Sequence, residues 1–196
     1  MNEPRNIILK NLLLLAPFDG WSDYALKEAA KKSGLDTLAL KKAFPGGVKE
    51  CLDFFFAEED RILAEHLPAE SLAKMRMPDR IETLILKRLE SLLPKREALR
   101  GALAIYAMPW NAASSYKALY RTVDLMWKLA GDKSTDFSFY TKRMTLAGLY
   151  SSTLLFWLND ESEGHKETGE FIKRRLVNIA DFGKFKKELL SKFSQK

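Results

Sequence analysis

The sequence holds little from which to build a catalytic centre. Cys51 is the only cysteine, and His66 and His165 are the only histidines. One cysteine excludes an internal disulfide framework and suits a reducing compartment. One cysteine and two histidines, each histidine in a polar or charged context, give no zinc-ligand spacing. No Glu-x-x-His set of the di-iron helical kind is present. Glu58-Glu59-Asp60 reads as a solvated charge run on a helix, and Gly46-Gly47 reads as a turn rather than a phosphate-binding loop. Ser151, Ser152 and Thr153 have no base near them in sequence. No reaction, metal or cofactor is expected. Also missing are the apolar–polar alternation of strands, internal repeats, low-complexity segments and long flexible linkers. Leu12 to Leu15 is apolar, but no cationic segment and cleavage site accompany it, so neither a secretory signal nor a transit peptide is expected. A bacterial cytoplasmic or mature organellar protein is implied.

What is present is helical periodicity, punctuated by Pro and Gly. Glu3 to Ala16 has helical character, and Pro17 is expected to stop it. Ser22 is placed to cap a helix through Lys32, ended by Gly34. Asp36 is placed to cap a short helix that Phe44-Pro45-Gly46-Gly47 terminates. A long helix follows Gly47 to about His66, with Pro68 closing it. Others are expected over Pro78–Leu93, from Pro94 to Met108, and over Asn111–Ala130. Cys51 sits in a periodic apolar segment, where a buried thiol is expected. The pattern predicts an all-α fold.

The stretch from Gly131 to Asp160 organises the chain. Its first part is a polar linker ending in Ser134, Thr135 and Asp136, any of which suits a helix cap. From Phe137 to Leu158 charge occurs only at Lys142 and Arg143. A helix apolar nearly all round belongs in a core or a membrane, and this one falls short of the ~20 apolar residues of a bilayer span. A central helix wrapped by others is expected. Met108, Trp110, Tyr116, Met126, Trp127, Met144, Tyr150 and Trp157 cluster in this half. Methionines and aromatics suit an apolar cavity between helices, and they also simply fill cores.

Net charge is +6, and residues 166–196 carry nine Lys or Arg against four acids. Thr168 to Ile179 reads as a basic amphipathic helix. Beyond it Phe182, Phe185, Leu189 and Phe193 form an apolar stripe, with Lys184, Lys187 and Lys192 away from it. That arrangement fits a helix lying in a membrane interface, a terminal helix docked on its own domain, or a dimer contact.

Gly131-Asp-Lys-Ser-Thr-Asp-Phe-Ser-Phe-Tyr-Thr-Lys-Arg143 resembles the signature of an accessory-protein family of ubiquinone biosynthesis, the ninth of the named Coq proteins. Met108-Pro-Trp-Asn111 and Asp124-Leu-Met-Trp127 are similar to the same family. Phe139 departs from it, standing where the family has Trp. The resemblance implies a TetR-like fold: a helical domain over 1–160, with a helix-turn-helix-like part over 1–47 and a lipid-binding part over 48–160, then basic amphipathic helices over 161–196. It implies an isoprenoid or phospholipid ligand among the eight Met and aromatic residues. It implies a membrane-binding C-terminal helix and peripheral attachment to a bacterial inner membrane or to the matrix side of a mitochondrial one. A homodimer is expected. It implies contact with demethoxyubiquinone hydroxylase, a di-iron carboxylate enzyme, at the pair that Phe139 and Tyr140 match. Asp136 and Leu129 join that surface, Met126 is expected to extend it, and Phe137 is expected to turn into the core.

The first three helices have the outline of a helix-turn-helix, and Phe44-Pro-Gly-Gly-Val-Lys-Glu50 resembles, with an insertion, the Phe-Pro-Ser-Lys-Glu that ends the recognition helix of TetR regulators. The short helix offers only Lys41 and Lys42 to nucleic acid, with no Arg, Asn or Gln to read base edges. No specific nucleic-acid partner is expected. A ligand-responsive DNA-binding regulator is the alternative function, and an enzyme acting on the lipid itself is the third.

Overall fold

The computed structural model describes residues 3–67, 69–135 and 137–177. Among them every regular element is helical: α1 (Glu3–Asp19), α2 (Asp23–Lys32), α3 (Thr37–Ala43), α4 (Gly47–His66), α5 (Ala69–Ala73), α6 (Met77–Leu92), α7 (Arg96–Tyr106), α8 (Ala112–Leu129) and α9 (Phe137–Trp157). A further helix, α10, covers 166–177. Short 3-10 turns at Leu93–Lys95 and Pro109–Asn111 lead into α7 and α8. None of the described helices is long and apolar enough to cross a membrane.

The caps follow local chemistry. Ser22 Oγ accepts from the Ala25 N–H, and Asp36 Oδ1 from the Ala39 N–H, each satisfying a donor that a helix start leaves free. Gly34 and Gly131 end α2 and α8 with positive φ. After α2, Gly34 N–H bonds the Lys31 carbonyl and Leu35 N–H bonds Ala30. After α8, Gly131 N–H bonds Lys128 and Asp132 N–H bonds Trp127. Both are the six-to-one closure that calls for a left-handed residue. Proline behaves differently from expectation at α1, which continues through Pro17 to Asp19. Pro17 falls in the last turn and forfeits one hydrogen bond there, while Gly20 N–H still reaches the Ala16 carbonyl. The one-turn helix α5 was not expected.

The chain divides into two compact units, residues 1–66 with 90–122, and residues 67–89 with 123–196. In the first, α1 packs on α2, α3, α4 and α7. Ala25, Ala29 and Ala30 of α2 are buried, and side chains this small let α1 approach closely. Ile8 and Leu12 of α1, Leu52 and Phe55 of α4, and Leu99 of α7 complete the centre. Trp21 is buried, its indole donating to the Ala98 carbonyl at 2.8 Å. Buried acids on α4 are all answered. Asp60 accepts from Arg121 at 2.6 Å and Thr122 at 2.8 Å, and Glu59 accepts from Ser91 and Lys95. Cys51 is buried as expected, and burial pushes its thiol up to about 12.

The second unit is centred on Ile81, Leu84 and Ile85 of α6, Met126 of α8, Leu146, Tyr150 and Trp157 of α9, and Ile172 of α10. Arg88 lies fully inside it, Nε donating to the Tyr150 hydroxyl at 2.8 Å. Arg80 reaches the carbonyls of Ala73, Met75 and Ala130, closing the C-terminal end of α8. Asp160 joins α9 to α10. Its carboxylate accepts from the N–H and hydroxyl groups of both Ser162 and Thr168. Burial alone raises this carboxyl, but those bonds outweigh it and hold the group far below the usual carboxylate range. Phe156 stacks on Phe171 at 4.7 Å across the same junction.

Candidate functional site at the start of the central helix

The conspicuous polar cluster of the second unit surrounds the first two turns of α9. Gly131 turns the chain so that Asp132 points inward. Its carboxylate accepts from Ser134 Oγ and from Lys142 Nζ, both at 2.7 Å. Burial alone would raise the Asp132 carboxyl, but those donors prevail and lower it. Arg143, one residue on, is 3% exposed. Its Nε donates to Asp124 at 2.7 Å and its Nη1 to the Phe139 carbonyl at 3.2 Å, with Asp132 Oδ2 at 3.5 Å. Its guanidinium carbon lies 3.3 Å from the centre of the Phe139 ring. Asp124 also meets Lys128 at 2.7 Å, and here too the cations outweigh burial and lower the carboxyl. Trp127 donates its indole N–H to the Lys142 carbonyl at 3.1 Å. A buried ion network of this kind costs desolvation and returns a fixed geometry when every partner is answered.

The fixed geometry presents an apolar face. Phe137 is 79% exposed, Tyr140 64% and Met144 62%. These positions, spaced by three and four, lie on one side of α9, and Gly148 and the exposed Leu155 continue that side. A Cβ at Gly148 would meet nothing within 4 Å. The α9 stripe thus carries three large side chains, then Gly148 and the half-buried Ser151, then Leu155, with no charge on it.

The expected partner residues are placed as follows. Tyr140 is outward, as expected. Phe137 corrects the expectation: it is outward rather than in the core. Phe139 is half-buried, because a residue four before Arg143 lies beneath its guanidinium and supplies the apolar face a buried cation stacks on. Met126 is fully buried and extends no surface, while Leu129 is half-buried. Asp136 lies outside the described residues.

The eight residues considered for a lipid cavity separate by exposure. Met126, Tyr150 and Trp157 are buried in the second unit, and Trp127 is half-buried. Met144 faces out on the same helix. Met108, Tyr116 and the 75% exposed Trp110 belong to the first unit and are exposed. Tyr116 stacks on Tyr120. Phe182, Phe185, Leu189, Phe193, Lys184 and Lys187 lie outside the described residues. Sequence reasoning missed Arg88, although its spacing from Leu84, Ile85 and Leu92 on an inward stripe was a signal. It noted Lys142 and Arg143 but not that the chain's own linker, through Asp132, answers them.

Comparison with known proteins bears on this cluster directly. The COQ9 family model matches residues 112–183, which contain all of it. The chain is 33% identical over 190 residues to the human ubiquinone biosynthesis protein COQ9, mitochondrial, covering 94% of this chain and 60% of the human one. Over that segment the chain is similar to the COQ9 family. The rat protein of the same description is 31% identical over 194 residues, with 94% of this chain and 61% of the relative covered. COQ9-B of Xenopus laevis is 33% identical over 191 residues, with 94% and 65% covered. The chain thus spans about three-fifths of the length of these curated COQ9 relatives. Among solved structures, a TetR transcriptional regulator from Nitrosomonas europaea ATCC 19718 superposes with a TM-score of 0.74 at 22% identity, covering 90% of this chain and 97% of that one. At that identity the likeness concerns the fold. The described residues have the TetR-like, all-helical fold expected from the sequence.

Proposed function

We propose that the chain serves ubiquinone biosynthesis as a lipid-binding accessory protein: it takes a polyprenylated quinone precursor at the membrane and presents it to demethoxyubiquinone hydroxylase. COQ9 relatives named for ubiquinone biosynthesis support the pathway. The observation that carries the presentation role is the uncharged stripe Phe137–Tyr140–Met144, held outward by the buried Arg143 network beneath it. Aromatic residues exposed beside one another on a rigid helix have the composition of an interface centre. The reading gives the chain no reaction of its own and no cofactor. It assigns lipid contact to the inward residues Met126, Tyr150 and Trp157 and membrane contact to residues 182–193. It places the protein on the matrix side of a mitochondrial inner membrane, as the relatives' names suggest, or on the inner membrane of a bacterium. It takes the working form to be a homodimer.

The experiment is capture of purified hydroxylase by the chain and by Tyr140→Ala and Phe137→Ala, with circular dichroism on each. Both side chains are exposed, so both variants keep their fold; loss of capture supports the reading, and undiminished capture by folded variants refutes it. Mass spectrometry of lipid extracted from the native protein tests the ligand. The second reading, a TetR-type regulator, is favoured by the fold likeness and by the exposed Lys41 and Lys42 on α3. A gel shift with genomic fragments separates it: a sequence-specific shift would replace the first reading.

A further inference from the structure

A cleft of about 420 Å³ opens in the first unit between α1, α4 and the turn at Leu93–Lys95. This volume is within the range that holds a small ligand, ~300–1,000 Å³. Its floor and wall are apolar: Leu9 and Leu13 stand one turn apart on α1, Leu14 beside them, and Ile62 faces them from α4. Leu14 is 66% exposed.

The charges in the cleft are unequal in what they leave available. Glu59 is buried and already neutralised by Lys95, with Ser91 Oγ donating to it at 3.0 Å. Glu58 is paired with Arg61, which also pairs with Glu65. Both acids are therefore unable to receive an incoming cation without breaking an existing pair. Lys10 is different: it is exposed on the rim and forms no ion pair with any described residue. Asn6 stands four residues before Lys10, on the same side of α1, so an amide N–H and an ammonium share that rim. An anion is the charge this rim complements, and a hydrocarbon chain is what the wall beyond it complements.

We propose that this cleft binds a single-chain carboxylate amphiphile of the fatty-acid type. The carboxylate sits at Lys10 and Asn6, and the chain runs along α1 over Leu9, Leu13 and Ile62. The site belongs to the first unit and shares no residue with the lipid-contact set assigned above.

The test uses the full chain and sodium decanoate below its micellar concentration, followed by the methyl resonances of Leu13 and Ile62. Saturable one-to-one shifts at those methyls are expected. Octanoate, two methylenes shorter, is expected to bind about fifteenfold more weakly, since each buried methylene contributes about 0.8 kcal/mol. Lys10→Glu, an exposed and structurally mild change, is expected to weaken decanoate at least tenfold and to admit decyltrimethylammonium instead. Leu13→Trp is expected to fill the cleft and remove binding while the far-UV spectrum is kept. The proposal is overturned by the absence of saturable shifts at Leu13 and Ile62, by decanoate affinity unchanged in Lys10→Glu, or by shifts that saturate at α9 methyls while those of the cleft stay still.

Discussion

Replacing Arg143 by Leu tests how far the start of α9 depends on its buried ion network. The guanidinium makes two good bonds, to Asp124 at 2.7 Å and to the Phe139 carbonyl at 3.2 Å, and one marginal contact with Asp132 at 3.5 Å. A hydrogen bond to a charged group contributes about 1.5–3 kcal/mol, and breaking a buried pair by removing one partner costs about 3–5 kcal/mol. The full penalty does not apply here, because neither acid is orphaned: Asp124 keeps Lys128, and Asp132 keeps Lys142 and Ser134. The expected loss is therefore about 2–4 kcal/mol, which for a chain of this length lowers the melting temperature by about 5–15 °C. Urea unfolding followed by far-UV circular dichroism measures it. Arg143→Lys keeps the charge but not the planar fork and is expected to lose about half as much. Pairing Arg143→Leu with Asp124→Leu in a double-mutant cycle is expected to give a coupling of about 1–2 kcal/mol. A loss below about 0.5 kcal/mol, or additive single effects, would refute the idea that the network fixes the helix start.

Two further outcomes follow from the carboxylate at the α9–α10 junction and the thiol on α4. Asp160 is held well below its unfolded value, so the stability it contributes is fully present above the ordinary aspartate pKa of about 3.9 and is lost as pH falls below that. Asp160→Asn is expected to be less stable than the parent at pH 7, with the gap narrowing from about pH 4 downward; a constant gap across urea titrations at several pH values would contradict this. Cys51, with its thiol raised to about 12 by burial, is expected to resist iodoacetamide at pH 8 in the folded protein and to react fully in urea, and rapid native alkylation followed by mass spectrometry would show the site to be open.

Much of the fold was legible because it rests on local chemistry. Ser22 and Asp36 cap by reaching three residues ahead, and Gly34 and Gly131 supply a backbone conformation other residues avoid, so each can be read from its neighbours. Pro17 misled because the cost of a proline depends on its distance from the end of the helix, and α1 closes at Asp19. The site was legible in composition and not in orientation. Met144 to Leu158 carries no charge, so helical spacing alone leaves the outward side of α9 undefined. Which of Phe137 and Phe139 turns in is decided by where Arg143 finds its acids, and those lie on α8 and in the linker rather than on α9. The count of Met and aromatic residues likewise said nothing of which are inside: Trp157 and Trp110 contribute alike to composition and sit at opposite extremes of exposure.

The tryptophans also give this protein an optical record of itself. Each compact unit holds one buried indole, Trp21 in the first and Trp157 in the second. Of the remaining pair, Trp110 stands in solvent and Trp127 is tied by its N–H to a backbone carbonyl. Iodide therefore quenches Trp110 selectively in the folded chain. With Trp110 replaced by Phe, Trp21→Phe leaves only the second unit's indoles, and replacing Trp127 and Trp157 together leaves only Trp21 in the first. If the units lose their cores at different temperatures, two wavelengths of light and no added label are enough to see it.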